Sequence, residues 1–262
     1  MQRIFILLIL LALSPCVAEA QYVYEGASVY DQPTLIGFEL GAGQTTQEGS
    51  FTAPCGCTFS SGSGTDFIGS ILYERRLSRV FSGGVKAGAD SKRFLSSHIY
   101  VYPNPTQAMT SSGSTETFTN FSLQDNGEVT TTYVTLAPYL KYNVLGTLIF
   151  VQAAPELGVL AYSHFYQHRN NLSGTNSNGQ NVTGLRYPSG ISDTTLENNP
   201  LQDISTIRFS ALLSAGIDLA IMGIAISPTI TFDLPFSDVR PVNENGWRLS
   251  SLYGSVTFKF AP

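Results

Sequence analysis

The sequence predicts an all-β fold: an eight-stranded antiparallel up-and-down transmembrane β-barrel with short periplasmic turns and long extracellular loops. Three observations point there. Apolar and polar residues alternate with period 2 in one segment after another, as in strands with two unlike faces. The connections between those segments alternate between short and long, and the long ones are rich in Ser, Thr, Gly and Asn. Only 13% of the 262 residues are charged, about half the usual share, while Gly (24), Phe (16) and Tyr (13) are plentiful.

The chain opens on MQRIFILLILLALSPCVAEAQ. Arg3, an apolar run from Ile4 to Leu13 and the Ala18-Glu19-Ala20 site read as a secretory signal peptide over residues 1–20. The run is too short for a spanning helix, which needs about 20 apolar residues. A lipoprotein signal acylated at Cys16 is the competing reading, and Pro15 departs from the small residue expected there. Removing 20 of 262 residues leaves 242, enough for one large domain: residues 21–34 as an N-terminal extension and 35–262 as the barrel. Cys55 and Cys57, in PCGC, read as a local disulfide or two loop thiols, since C-x-C supplies only half a metal site.

Strand by strand, residues 35–43 set Ile36, Phe38 and Leu40 against Gly37, Glu39 and Gly41. Residues 66–76 set Phe67, Ile71 and Tyr73 against Ser70, Glu74 and Arg76. Residues 81–89 set Phe81, Val85 and Ala87 against Ser82, Gly84, Lys86 and Gly88. The stretch TLAPYLKYNVLGTLIFVQAAPELGV is a hairpin. Its apolar face runs through Val134, Leu136, Pro138, Leu140 and Tyr142, then Ile149, Val151, Ala153, Pro155, Leu157 and Val159. Lys141, Gln152 and Glu156 lie on the other face. Residues 205–220 and 224–236, joined by a tight turn at Met222-Gly223, and residues 247–260 repeat the pattern, with Arg208, Asp218, Asp233 and Lys259 on their polar faces. The short turns are 77–80, 143–147 and 221–223. The loops are 44–65, 90–131, 163–204 and 237–246. Prolines 138, 155 and 228 fall on the apolar face and predict local bulges.

In lipid every backbone polar group must be paired, so spanning strands must close on themselves. The apolar faces then meet hydrocarbon and the polar faces fill the interior, which at eight strands is only wide enough for side chains. The expected interior network is Glu39, Glu74, Glu156, Asp218 and Asp233 against Arg76, Lys86, Lys141, Arg208 and Lys259: five anions and five cations. Such balance suits groups withdrawn from water, where an unpaired charge is costly, and it suggests a filled interior in place of an open channel.

The segments YERRLSRVFSGGVKAGAD, TLAPYLKYNVLGTLIFVQAAPELGV and LYGSVTFKF resemble the small OmpA-like outer-membrane β-barrels, particularly the stand-alone barrel families of Bacteroidota-type bacteria. The resemblance covers most of residues 35–260. It implies residence in the bacterial outer membrane and insertion by the barrel-assembly machinery, which reads an aromatic last strand. Here Phe258 and Phe260 occupy that strand, and Ala261-Pro262 follow.

The expected partners are therefore outer-membrane lipid, the assembly machinery and an unidentified extracellular ligand of the loops. Net charge is −5 with no basic cluster, so nucleic acid is not expected. No cofactor, metal site or catalytic residue is expected; the sequence has no G-x-S-x-G, H-E-x-x-H or phosphate loop. The alternatives are a narrow or secretion-associated channel, and an enzyme at the outer rim using His98, His164, His168 or Asp90. The fold-level rival is a soluble calycin-like barrel with its apolar faces turned inward.

Overall fold

The computed structural model describes residues 33–53, 58–102, 105–144, 147–186, 194–201, 203–221, 223–240 and 246–262. The expected leader, nearly all of the N-terminal extension, both loop cysteines and the turn residues Leu145, Gly146 and Met222 lie outside the described residues. Among the described residues there is no helix, and eight long strands carry the fold: β1 (Thr34–Glu48), β2 (Gly62–Arg76), β3 (Phe81–Tyr102), β4 (Thr115–Asn143), β5 (Ile149–Thr175), β6 (Ile207–Ile217), β7 (Ile224–Pro235) and β8 (Arg248–Phe260).

Each strand pairs antiparallel with the next in sequence, and β8 pairs back to β1, so the path of pairings returns to its start. This is the up-and-down order expected of hairpins joined by short turns. Across the seams the outward residues align: Phe38 faces Ile71 and Phe258, and Leu136 faces Ala87 and Leu157. Phe38 is 40% exposed, Leu136 49% and Ile230 65%, while Glu39, Lys141 and Asp233 are buried on the other face. The apolar side chains therefore point away from the centre, which removes the calycin-like alternative.

The prolines do not produce bulges. The β4–β5 ladder skips from Leu136–Leu157 to Leu140–Ala153 and resumes in the same register, with Pro138 and Pro155 opposite one another in the gap. Two residues that lack an N–H thus give up a single stretch of ladder between them. Pro228 behaves likewise. The pairing of β6 with β7 stops at Gly216–Thr229 and resumes in register at Leu219–Ile226. The register shifts of the β4–β5 ladder lie elsewhere, at Thr119–Gln124 and at Thr132/Tyr133.

Two expected loops are largely strand. Residues 90–131 contain the outer half of β3 and much of β4, paired from Asp90–Tyr133 to Tyr102–Phe121. Residues 163–204 contain the end of β5, to which the short strands Asn181–Leu185 and Thr194–Asn199 add. Thr, Val, Tyr and Phe in these stretches favour strands, and the abundant Ser, Asn and Gly concealed that. At the far end, strand Thr106–Met109 pairs with β4 and bridges to Arg186, enclosing Ala108, Phe118, Phe121, Leu123, Leu172 and Leu185 as a small separate core.

Candidate functional site

The interior of the ring is the place where the chain concentrates its chemistry. From the short-turn end outward it has three tiers.

The first tier joins β2, β4, β5, β7 and β8. Glu74 (β2) accepts from Lys259 (β8) at 2.9 Å and from the Tyr139 hydroxyl (β4) at 2.9 Å, and lies 3.5 Å from Lys141 (β4). Lys141 also pairs with Asp218, which follows β6 and accepts from Ser227 Oγ at 2.6 Å. Lys141 Nζ stands 4.4 Å from the centre of the Phe150 ring, a cation–π contact. Gly84 makes room for Tyr139; a Cβ there would lie 2.6 Å from its hydroxyl. A cavity of about 210 Å³ opens on this tier from the turn side, lined by Arg76, Arg79 and Asn143 among others.

Higher up, Glu39 (β1) pairs with Lys86 (β3) at 2.7 Å and accepts from Ser255 Oγ at 2.6 Å. The third tier centres on Lys92 (β3) and Arg208 (β6). Lys92 reaches Asp66, Asp233 and Asp90 at 2.7, 3.0 and 3.2 Å. Arg208 lies 2.6 Å from Asp90, 3.5 Å from Glu156, and bonds Asp233.

Nine of the ten residues expected inside are brought into these tiers. Arg76 is not. It sits exposed where β2 ends, its Nε donating to the Ser78 carbonyl at 3.2 Å. At a strand end the period-2 rule no longer fixes which way a side chain points. Three charges escaped the sequence reading of the interior: Asp66, Asp90 and Lys92. Asp66 stands at an expected strand boundary and Asp90 and Lys92 in an expected loop, although the alternation of residues 82, 84, 86 and 88, continued to 90 and 92, places two of them inward. In the three tiers the tally is thus seven anions to five cations among the described residues, in place of five to five, and farther out Asp125 pairs with Arg169 on the same inward face.

Above Lys92 an apolar cluster fills much of the interior, beside the buried Asp125–Arg169 pair. Phe94, Val129, Phe165, Trp247 and Leu249 of the ring strands and their flanks are buried together with Phe51 and Phe59. The last two belong to a two-stranded hairpin, Phe51–Thr52 with Thr58–Phe59, in the β1–β2 connection, and it folds inward across the opening. Phe51 stacks on Trp247 with ring centres 4.5 Å apart and on Phe59 at 5.1 Å. Between this plug and the first tier, a cavity of about 20 Å³ remains beside Glu39, Lys86, Asp90, Glu156 and Tyr253, about one water's worth of room.

The rim histidines do not converge. His98 shares the inward face of Phe94 and Ser96, whereas His164 and His168 lie opposite the buried Phe165 and Gln167. Their rings lie close to Tyr100, Tyr162 and Tyr166, respectively.

No protein-family model matches the chain, and no curated protein matches it in sequence. Among solved structures it is similar to the attachment invasion locus protein Ail of Yersinia pestis, with TM-score 0.32 and 10% identity over 86% of this chain and 98% of Ail. It is also similar to Neisserial surface protein A, with TM-score 0.29 and 13% identity over 85% and 97% of the two chains. A third is a mutant of the monoaromatic hydrocarbon channel TodX, with TM-score 0.24 and 9% identity over 92% and 95%. All three are outer-membrane β-barrel proteins.

Proposed function

We propose that the chain is an integral protein of the bacterial outer membrane, an eight-stranded β-barrel with a filled, ion-paired interior, whose extended outer strands serve a structural or surface-interaction role. The observation that carries this is the band of outward apolar side chains on every ring strand. On β4 the band runs from Val134 to Tyr142 and on β5 from Ile149 to Val159, and both strands continue outward on more polar faces. A strand needs about 9–11 tilted residues to cross the hydrocarbon layer, which matches. Lipid would contact this band, and the assembly machinery would read Phe258 and Phe260 in the last strand.

A conducting barrel is the weaker reading, because the aromatic plug and the ionic tiers occupy the bore. The test is fractionation with planar-bilayer recording. The protein should leave the envelope only with detergent, should migrate differently on gels before and after heating, and should conduct little or no current. Recovery from the soluble periplasmic fraction overturns the membrane reading, and steady single-channel currents overturn the filled interior.

A further inference from the structure

The two ends of the ring treat their arginines differently. Toward the outer end Arg93, Arg169, Arg240 and Arg248 each stand against a carboxylate, at 2.6, 2.6, 3.1 and 2.8 Å. At the short-turn end three arginines crowd one turn: Arg75 and Arg76 where β2 ends, and Arg79 just before β3. All three are exposed. The acids of this end, Glu74 and Asp218, point into the ring and are held by Lys259 and Lys141. Among the described residues no carboxylate pairs with Arg75 or Arg79. The turns over 143–148 and 219–223 carry no charged residue. Among the described residues the exposed side-chain charge of this end is therefore of one sign, and all of it is guanidinium.

Their place relative to the apolar band gives this charge a use. Arg75 continues the outward row of Phe67, Ile71 and Tyr73, with Leu72 and Glu74 buried between, so it stands on the apolar face at the very end of the band. The exposed rings of Tyr73, Phe81 and Tyr142 lie at the same end, the last two 5.3 Å apart. Leu77, 61% exposed, leans back over Gly83, the cross-strand neighbour of Arg75; a Cβ on Gly83 would lie 3.1 Å from Leu77 Cδ1. Arg79 stands in the turn itself, at the edge of the 210 Å³ cavity. Aromatic rings and cationic side chains gather where hydrocarbon gives way to headgroups, the ring and stem in the apolar layer and the charge at the border. The guanidinium adds a planar fork that matches a phosphate with two parallel hydrogen bonds.

We propose that the β2–β3 turn is a docking point for the phosphate of an anionic glycerophospholipid in the periplasmic leaflet, which Arg75 meets from the lipid side and Arg79 from the turn. The docking point rests on the membrane placement proposed above. That placement brings headgroup phosphate to the height of Arg75, so the anion reaches the arginines without leaving its leaflet. A headgroup without an ammonium of its own leaves the phosphate charge to the protein, and it is therefore the preferred one.

The test is native mass spectrometry of the full chain in detergent, offered phosphatidylglycerol and phosphatidylcholine with the same acyl chains. The wild type should retain phosphatidylglycerol in preference. Arg75→Gln and Arg79→Gln should each lower that preference about fivefold. Arg186→Gln removes an exposed arginine from the far end and should leave it unchanged. All three side chains are exposed, so the variants should fold, and the heat-induced gel shift checks that they do. Equal retention of the two lipids by the wild type overturns the proposal, as does an equal loss in Arg186→Gln. If inorganic phosphate alone abolishes the preference, the turn serves a soluble anion and the assignment to lipid falls. Failure of the membrane reading shows separately, as protein recovered without detergent.

Discussion

Below Lys92 the inward face of the sheet is ionic and the outward face is greasy; above it, from Phe94, the inward face gains an aromatic cluster beside the Asp125–Arg169 pair, and the outward face of β4 turns polar while β3 still exposes Leu95, Ile99 and Val101. One continuous pair of strands, β3 and β4, runs through both regimes. The difference teaches that the solvent outside decides what the inside must be. On the membrane placement proposed above, hydrocarbon surrounds the lower band, so apolar side chains there gain by facing out, and polar ones must pair among themselves. Where water surrounds the ring, burial of apolar surface again drives folding, so apolar side chains gather inside. The phase slip at Thr132/Tyr133 helps β5 keep its inward residues inward, passing from even positions such as Glu156 to odd ones such as Phe165.

The sharpest way to break this comparison is to remove a charge from the lower regime. Lys92→Met leaves Asp66 without a cation and Asp90 and Asp233 with Arg208 alone, and should destabilise by about 3–5 kcal/mol, read as a lower temperature for the heat-induced gel shift. A neutral outcome would mean that water already reaches the tier. In the upper regime Phe51→Ala removes an aromatic side chain from the plug and should cost about 3 kcal/mol, with faster proteolysis between residues 48 and 62. If proteolysis is unchanged, the hairpin is not what closes the opening. Replacing Pro138 and Pro155 together by Val restores two N–H groups to the gap in the β4–β5 ladder and should stabilise by about 1 kcal/mol, seen as slower amide exchange there. The smallest effect should come from the exposed pair Arg93–Glu128, 2.6 Å apart at the border of the two regimes. Exposed ion pairs are screened and entropically costly, so Arg93→Ala should leave the transition where it was.

Legibility followed the same border. Inside the membrane band the hydrophobic side must be nearly uniform, so the alternation of Phe38, Leu40 and Ile71 against Glu39 and Glu74 could be read residue by residue. Beyond it, the inward side mixes Phe94 and Val129 with Ser96 and Gly127, and bulges near Thr119–Gln124 break the period. The rule that found the inner strands therefore returned loops for the outer ones. Asp66, Asp90 and Lys92 stand where one pattern gives way to the other, and the sequence reading lost them there.

By itself the sequence determined the antiparallel strand order, the facing of most side chains and the chemical kind of each face, because these are short-range properties of a period-2 chain with tight turns. Only the tertiary structure decided which charges meet, that Pro138 and Pro155 share one gap, and that the Phe51–Phe59 hairpin folds inward. Those outcomes depend on the register with which eight strands close on themselves, and register is a relation between residues as far apart as Ile36 and Phe260 that no local pattern encodes.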